Sequence, residues 1–345
     1  MNRATDLIPP PQADSQTAAD MRAAVDLLVQ GVSAIHGQIG RAVIGQKRAV
    51  SEVLCCVLAD GHGLLEGVPG TGKTTLVSAV SSACGLDMGR IQFTPDLMPA
   101  DITGTNVVTV DESGRHGTVF QSGPIFHEMV LADEINRATP RSQSAMLEAM
   151  EERSVTIAGE TRSLPQPFIV LATQNPIEQE GTYRLPEAQL DRFMMKVEVP
   201  LPPAEVVKGI VQTTTGQLGV EVQCAVAPGF LQSASSLCQR VVVGPHIDRW
   251  IAALVHATVT ELGPLVTNPA SPRAALAIRR AAQVVAMTSG RLSLSVADVL
   301  QVMPACLRHR LSPSPDGRAE GFSASDLIER LLDVVPTPAQ EILHR

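Results

Sequence analysis

Residues 67–74 carry the pattern that most constrains the fold of this chain. They read Gly-Val-Pro-Gly-Thr-Gly-Lys-Thr and fit G-x-x-x-x-G-K-[ST] at every position. The apolar pair Leu64-Leu65 precedes the pattern, and a helix-like run follows at 75–84. A strand, a glycine-rich loop and a helix in this order form a phosphate-binding loop. The sequence therefore predicts an α/β fold with this loop at one edge of a parallel sheet.

The side chains of this loop indicate how a nucleotide would be held. Glycines let successive backbone N–H groups turn towards a polyphosphate, and the helix N-terminus adds positive potential. Lys73 can reach the β- and γ-phosphates, and the Thr74 hydroxyl is a natural Mg²⁺ ligand. We therefore expect ATP and Mg²⁺ as cofactors. The predicted binding residues of the loop are Gly67, Val68, Pro69, Gly70, Thr71, Gly72, Lys73, Thr74 and Thr75.

A second apolar run ends in two carboxylates. Residues 129–132 read Met-Val-Leu-Ala and are followed by Asp133 and Glu134, as expected of a buried parallel strand. Ligands of open α/β sheets bind outside the carboxyl ends of the strands. We therefore expect Asp133 to join Thr74 in holding the metal, and Glu134 to polarise the attacking water.

Composition and charge exclude several classes of protein. The chain has 345 residues, of which 44% are apolar, enough for two or more packed domains. No apolar run approaches the ~18 residues of a membrane span, and the N-terminus lacks a signal-peptide pattern. We therefore expect a cytoplasmic protein without direct membrane insertion. A net charge of −8 and 3% aromatic residues disfavour nucleic-acid binding. The six scattered cysteines favour reduced core thiols over a metal site or disulfides.

The alternation of strand-like and helical runs indicates the domain organisation. Strand-like runs at 64–65, 90–93, 129–132 and 168–173 alternate with helical patterns, which predicts a parallel sheet covered on both faces. A proline-rich stretch at 200–203 ends this alternation, and the residues beyond it are mostly helical. The predicted parts are a disordered tail at 1–20, a nucleotide-binding core at 21–203, a small helical domain at 204–312 and a C-terminal extension at 313–345.

Two stretches of the core interrupt this alternation and read as β-hairpins. Residues 106–110 and 118–120 flank a turn-rich segment, and residues 154–157 and 161–164 flank Ala158-Gly159-Glu160. Apolar and polar residues partly alternate on these arms, as half-exposed strands require. Such hairpins can be surface decoration, but on a nucleotide-driven core they are suited to touching a partner.

Three polar residues outside the loop and the acidic pair are candidates for the chemistry. Asn175 lies just past the strand that ends near Thr173, where an amide can orient a water against the γ-phosphate. Arg192 and Arg273 lie far along the chain from the loop. A guanidinium can stabilise the charge that develops in phosphoryl transfer, although isolated arginines more often form surface salt bridges.

Longer motifs accompany the phosphate loop. They are Val43-Ile44-Gly45-Gln46, Phe-Thr-Pro-Asp-Leu-Met-Pro-Ala-Asp-Ile-Thr-Gly at 93–104, Gly-Pro-Ile-Phe at 123–126, Ala-Asp-Glu-Ile-Asn-Arg at 132–137, Leu-Glu-Ala-Met at 147–150, Ala-Thr-Gln-Asn-Pro at 172–176, Gln-Glu-Gly-Thr at 179–182 and Leu-Pro-Glu-Ala-Gln-Leu-Asp-Arg-Phe at 185–193. By these motifs, which span about residues 43–310, the chain resembles MoxR-type AAA+ ATPases.

The resemblance implies an AAA+ core with two hairpin inserts, followed by a helical lid. Ile44 and Gly45 would contact adenine. Asn175 would be sensor 1, and Arg273 would be sensor 2. Arg192 would be the arginine finger offered to the neighbouring subunit of a ring, usually a homo-hexamer. Proteins of this family act as chaperone-like ATPases that mature or activate partners carrying a von Willebrand factor A domain.

Two positions depart from the family pattern, Arg184 and, more mildly, Thr139, which stands where the family has the first proline of Ala-Pro-Pro. Two other functions stay open. The family usually has Tyr-Pro-Leu-Pro where this chain has Tyr-Arg-Leu-Pro at 183–186, so Arg184 adds a cation near the expected finger. An ATP-controlled assembly scaffold would hydrolyse negligibly, and phosphate release separates it from an ATPase. A DNA translocase would show DNA-stimulated turnover, and the acidic composition argues against it.

Overall fold

The computed structural model describes residues 7–12, 17–110, 116–176, 182–208 and 221–338. Five parallel strands form the central sheet, in the order β2–β5–β8–β1–β9. The remaining strands form two-stranded antiparallel sheets. The strands are β1 (Gly63–Glu66), β2 (Met88–Gln92), β3 (Gly104–Val110), β4 (His116–Ser122), β5 (Met129–Asp133), β6 (Ser154–Ile157), β7 (Glu160–Ser163), β8 (Ile169–Gln174), β9 (Met195–Glu198), β10 (Val266–Asn268) and β11 (Ser312–Pro313).

The helices cover the sheet and build the second domain. α1, α2, α3 and α5 belong to the core, and α7 to α12 follow it in the chain. The helices are α1 (Ala18–Ala42), α2 (Lys47–Leu58), α3 (Lys73–Cys84), α4 (Pro99–Thr103), α5 (Pro140–Glu152), α6 (Glu187–Leu190), α7 (Phe230–Gln239), α8 (Pro245–Thr260), α9 (Pro272–Thr288), α10 (Val296–Leu307), α11 (Pro315–Ala319) and α12 (Ala324–Val334). This architecture confirms the predicted α/β core and helical lid. Among the described residues, no helix is both long and apolar enough to cross a membrane.

Alternating side chains of the strands fill two separate hydrophobic clusters. Leu64 and Val130 lie in one cluster with α5, whereas Leu65 and Leu131 lie in the other with α1, α2 and α3. Neighbouring residues of a strand point to opposite faces, so one sheet can support both layers. The second cluster continues into the lid, where Met287 is fully buried. The lid therefore packs on one face of the sheet as part of the same core.

The parallel sheet has two chemically different edges. Because all its strands run in the same direction, Glu66, Asp133 and Gln174 end β1, β5 and β8 at one edge, here called the carboxyl edge. The opposite edge, where these strands begin, is called the amino edge. His62 precedes β1 at the amino edge, and Gly67 follows β1 at the carboxyl edge. The phosphate loop and the acidic pair therefore share an edge, as predicted.

Both predicted hairpins are present. β3 pairs with β4 from Gly104–Ser122 to Val110–His116, and β6 pairs with β7. The connecting residues 111–115 lie outside the described part of the chain. The first hairpin is exposed on nearly all of its length, including the apolar residues Val108 and Val119.

The structure differs from the sequence prediction at the N-terminus and adds a strand. Ile8, within the predicted disordered tail, bridges to Val226, with hydrogen bonds to the backbones of Ala225 and Ala227. Residues 7–12 are therefore placed against the lid, and α1 begins at Ala18 rather than at residue 21. Residues 1–6 and 13–16 lie outside the described residues. β9, the strand beside β1, is not among the strands predicted from the sequence.

Candidate nucleotide-binding site

The loop between β1 and α3 has the backbone geometry of a phosphate cradle. Gly70 and Gly72 have φ of 80° and 82°, a left-handed conformation that residues with a Cβ rarely adopt. Gly72 is the N-cap of α3, so the helix begins directly at Lys73. An α-helix does not satisfy the N–H groups of its own first turn within the helix, so a helix that begins at the loop can present them to a phosphate there.

The Lys73 ammonium already lies inside this loop. Its Nζ donates to the carbonyl oxygens of Gly67 at 2.6 Å and of Val68 at 2.9 Å. The Thr71 hydroxyl donates to the Val68 carbonyl at 2.9 Å and holds the turn. A cation among backbone donors suits a polyphosphate, so the residues present fit a nucleotide at this position.

Asp133 is held by two donors at the carboxyl edge. It is buried, and the Thr173 hydroxyl of the adjacent β8 donates to its Oδ1 at 2.7 Å. Arg90 Nη2 of β2 lies 2.6 Å from its Oδ2. Thr74, in the first turn of α3, supplies the hydroxyl expected beside it. A carboxylate and a hydroxyl are oxygen ligands of the kind that Mg²⁺ takes, and the residues present therefore fit that ion.

Glu134 has an unusual backbone and a fixed side chain. Its φ is 56°, in the left-handed region, which costs free energy in a non-glycine residue. Its N–H donates to the Thr173 hydroxyl at 2.9 Å. Its Oε2 accepts from Gln92 Nε2 at 2.9 Å and lies 3.2 Å from Arg137 Nη1. The same threonine thus orients both members of the acidic pair.

Arg90, Gln92, Arg137 and Thr173 are site residues that the sequence interpretation missed. A signal existed for two of them, because Arg90 and Gln92 flank buried Ile91 on β2 and so point to the same face. Gln92 is also the register partner of Asp133 across β2 and β5. The alternation alone shows a polar face, but it does not show which strand lies beside it.

Asn175 follows β8 at the carboxyl edge, as predicted. It is buried, and its carbonyl accepts a hydrogen bond from Asn136 Nδ2 at 3.5 Å. Both asparagines line a cleft of about 580 Å³ together with Glu66 and exposed Arg184. The extra cation at position 184 therefore lines the same cleft as Asn175, whereas the arginines described below line another.

Ile44 and Gly45 are held near the phosphate loop by Gln46, the next residue in the chain. Gln46 Nε2 donates to the Thr71 carbonyl at 2.6 Å, which ties this segment to the loop. Gly45 packs so closely on Val206 that a Cβ would lie 2.7 Å from Val206 Cγ1. The predicted adenine-contacting pair is thus placed between the loop and the start of the lid.

Arg192 and Arg273 lie together, in a second cleft. This cleft of about 270 Å³ lies between the core and α9, and we call it the arginine cleft. Arg192 Nη2 is 3.0 Å from Glu151 Oε2, and Arg273 pairs with the other oxygen of the same carboxylate. Two arginines that are 81 positions apart in the sequence therefore share one counter-ion.

The arginine cleft lies at the amino edge of the sheet. Asp60, Gly61 and His62, which immediately precede β1, are among its lining residues. The phosphate loop immediately follows β1, and the four residues of that strand span about 13 Å. The structure therefore brings Arg192 and Arg273 to each other and to the edge opposite their own phosphate loop.

Burial keeps the imidazole of His62 and the thiol of Cys84 neutral at neutral pH. His62 accepts from the Val170 N–H through Nδ1 at 3.0 Å and contacts the Met150 carbonyl through Nε2 at 3.1 Å. Burial lowers the pKa of His62 from 6.5 to about 4. All six cysteines are free thiols, and burial raises the pKa of Cys84 to about 12. These groups act in packing at neutral pH.

Comparison with known proteins defines the class first. Residues 62–195 match the family model described as the ATPase family associated with various cellular activities (AAA), and residues 263–331 match the AAA lid domain. With its phosphate loop, acidic pair and lid, the chain is an AAA+ ATPase.

Relatives along nearly the whole chain define the family. The chain is 39% identical to Chaperone MoxR1 of Mycobacterium tuberculosis over 308 residues, covering 87% of this chain and 81% of that protein. It is 32% identical to Protein MoxR of Methylorubrum extorquens over 329 residues, with 87% and 93% covered. A crystal structure from Cytophaga hutchinsonii superposes with a TM-score of 0.84 at 35% identity, covering 92% of this chain and 98% of that chain. The chain belongs to the MoxR family of AAA+ ATPases.

Proposed function

We propose that this ATPase uses Mg²⁺-dependent ATP hydrolysis to remodel or mature a protein client. Lys73 and the loop N–H groups bind the β- and γ-phosphates, and Thr74 and Asp133 hold the metal. Mg²⁺, when bound, neutralises charge on the phosphates. Glu134 takes the proton of the attacking water, and Asn175 orients that water. The oxygen and cation arrangement at the carboxyl edge supports these roles.

The position of the arginine cleft carries the proposal of a ring. Arg192 and Arg273 lie at the edge opposite their own phosphate loop, so both act on the nucleotide of the neighbouring subunit. A site completed by a neighbour repeats one head-to-tail contact from subunit to subunit, and such a contact makes a ring when the rotation between subunits closes. We propose a homo-hexamer of this kind.

The charge of the arginine cleft supports an anionic partner. Its described lining includes five arginines and three carboxylates, an excess of two positive charges. His62, in the same cleft, is neutral because burial lowers its pKa to about 4. A face with this balance attracts a phosphate group presented by another molecule. The lining arginines are Arg153, Arg192, Arg273, Arg280 and Arg310, and the carboxylates are Asp60, Glu151 and Asp191.

The client is proposed to be a protein, with a von Willebrand factor A domain as the expected class. A relative of this chain is named Chaperone MoxR1, which supports a chaperone-like role. The β3–β4 hairpin offers exposed valines at 108, 110 and 119 beside the nucleotide core. Apolar side chains on an exposed hairpin suit contact with a protein surface.

Mixing two inactive variants tests the ring. Arg192→Ala subunits keep an intact phosphate loop, and Lys73→Ala subunits keep both arginines. Each alone should lose activity, by on the order of 10³ for a trans arginine. Co-assembled subunits should regain turnover where an intact loop meets intact arginines. The same rescue is expected for Arg273→Ala. The matched control is Arg184→Ala, which removes an arginine of the other cleft and should lose much less activity.

The absence of rescue despite confirmed co-assembly would mean that the arginine acts within its own subunit. Steady-state phosphate release at the background level in the wild-type protein would instead favour a nucleotide-controlled scaffold.

Client capture is a separate test. Glu134→Gln protein, loaded with ATP, should retain proteins with a von Willebrand factor A domain, whereas Lys73→Ala protein should not. Equal recovery on both variants would contradict an ATP-dependent client.

A further inference from the structure

Glu151 occupies a position that helix stability does not explain. It lies in the last turn of α5, next to Glu152 at the helix end. The C-terminus of a helix carries a partial negative charge, so a carboxylate there is unfavourable unless cations compensate for it. Arg192 and Arg273 supply that compensation, one on each oxygen of Glu151.

The carboxylate also keeps two like charges close together. Both guanidinium groups lie within ion-pair distance of a single side chain, and they would repel each other without it. Their side chains are 28% and 47% exposed, so solvent would otherwise leave them many conformations. Among the described ion pairs, Glu151 is the carboxylate that contacts both guanidinium groups, so it can hold them at one spacing.

The backbones that carry the two arginines are fixed by a second carboxylate. Asp191 Oδ2 accepts from the Ser271 hydroxyl at 2.7 Å, and Ser271 caps the helix on which Arg273 lies. Asp191 Oδ1 lies 2.7 Å from Arg310 Nε. With both helix and loop fixed in this way, the remaining freedom is in the two arginine side chains. Glu151 contacts both of them, whereas Asp191 Oδ2 lies 3.8 Å from Arg273 Nη1 and pairs with that arginine alone among the described contacts.

We propose that Glu151 is a positioning residue that holds Arg192 and Arg273 as a pair, aimed at the nucleotide of the neighbouring subunit. This inference rests on the proposed trans role of the arginines. Glu151 acts through them, because its own two oxygens are both engaged by guanidinium groups. Displacing a reacting group by about 1 Å can lower the rate on the order of 10²-fold, so a residue that fixes the two arginines can have a large effect on turnover.

Glu151→Gln tests this role, and Glu152→Gln is the matched control on the same helix. Among the described contacts, Glu152 pairs with neither arginine. We expect Glu151→Gln to lower kcat on the order of 10-fold or more, with ATP affinity unchanged because the phosphate loop lies at the opposite edge. Glu151→Asp, which keeps the charge on a shorter side chain, should lose less. Glu152→Gln should turn over like the wild type.

Subunit mixing distinguishes this proposal from the one on which it rests. Co-assembly with Lys73→Ala subunits should rescue Glu151→Gln as it rescues Arg192→Ala, because the Lys73→Ala subunit supplies an intact pair of arginines. Rescue of Arg192→Ala without rescue of Glu151→Gln would overturn the positioning role and leave the ring intact. Failure of both mixtures would overturn the trans arrangement itself. Wild-type turnover of Glu151→Gln, or failure of this variant to assemble as judged by native mass spectrometry, would also overturn the role of Glu151.

Discussion

Arg310 Nε lies 2.7 Å from Asp191 Oδ1, which joins the lid to the segment that carries Arg192. The Arg310 side chain is 3% exposed, and it also donates to the backbone carbonyls of Phe193 and Met194. The residue follows α10 of the lid, whereas Asp191 follows α6 of the core. The lid and the expected finger are therefore mechanically connected through one buried guanidinium.

Arg310→Ala should destabilise the protein by about 3–5 kcal/mol. The substitution removes the donor to Asp191 Oδ1, on a half-buried carboxylate, and to several buried carbonyl groups, and breaking one side of such an ion pair carries that cost. Urea unfolding measures the change. The exposed Arg249→Ala is the matched control and should change the free energy of unfolding by less than about 0.5 kcal/mol. Equal stability of the two variants would show that the contact contributes nothing to the fold.

Lys73→Ala should weaken ATP binding, hydrolysis or both while leaving the fold intact. The ammonium lies in the loop on two carbonyl groups, so its loss removes the main cation for the phosphates without disturbing the core. Calorimetric titration with ATP measures the affinity, and phosphate release measures turnover. Lys208→Ala, an exposed lysine at the start of the lid, is the control. Wild-type affinity together with wild-type turnover in folded Lys73→Ala would refute the phosphate-loop assignment.

Glu134→Gln should retain ATP binding and lose about 10²- to 10⁴-fold in turnover. The amide keeps the shape of the side chain, but it cannot accept the proton of the attacking water. Glu128→Gln offers a control before the start of β5, where the carboxylate accepts from the Asp87 N–H at 3.0 Å. Single-turnover hydrolysis and ATP titration separate the two effects. If binding is lost, Glu134 has a structural role; if turnover is unchanged, another residue activates the water.

Stability should fall as the pH decreases from about 6.5 towards about 4. Burial lowers the pKa of His62 to about 4, so the folded state binds fewer protons than the unfolded state in this range. The contribution of neutral His62 to the free energy of unfolding is fully present above the unfolded pKa of 6.5. It is lost as the pH falls, at up to about 1.4 kcal/mol per pH unit for one proton. His309, whose pKa is also lowered by burial, should contribute in the same direction.

Urea unfolding at several pH values measures this slope. His62→Gln removes one titrating group. The free energy of unfolding should therefore change less steeply with pH below 6.5 in this variant, by the equivalent of up to one bound proton. His256→Gln, at an exposed position, is the matched control substitution. A His62→Gln slope equal to that of the wild type would contradict a neutral buried imidazole.

Local sequence patterns were sufficient to predict several elements that the structure contains. The phosphate loop, the strand ending at Asp133 and the two hairpins are set by neighbouring residues, because glycine conformation and residue alternation act over short distances. β9 alternates apolar and polar residues, with Met195 and Val197 buried, but its four residues are too few for the alternation alone to identify a strand. Its place beside β1 comes from long-range pairing.

The sequence by itself determined the class of chemistry, because residues 67–74 and the pair Asp133-Glu134 are contiguous motifs whose geometry follows from a single strand and turn. The tertiary structure alone decided which distant side chains meet. It placed Arg90 on Asp133, and it brought Arg192 and Arg273 to Glu151 at the edge opposite the phosphate loop. These contacts depend on strand order and on how the lid packs, and such long-range packing leaves no local periodicity to be read.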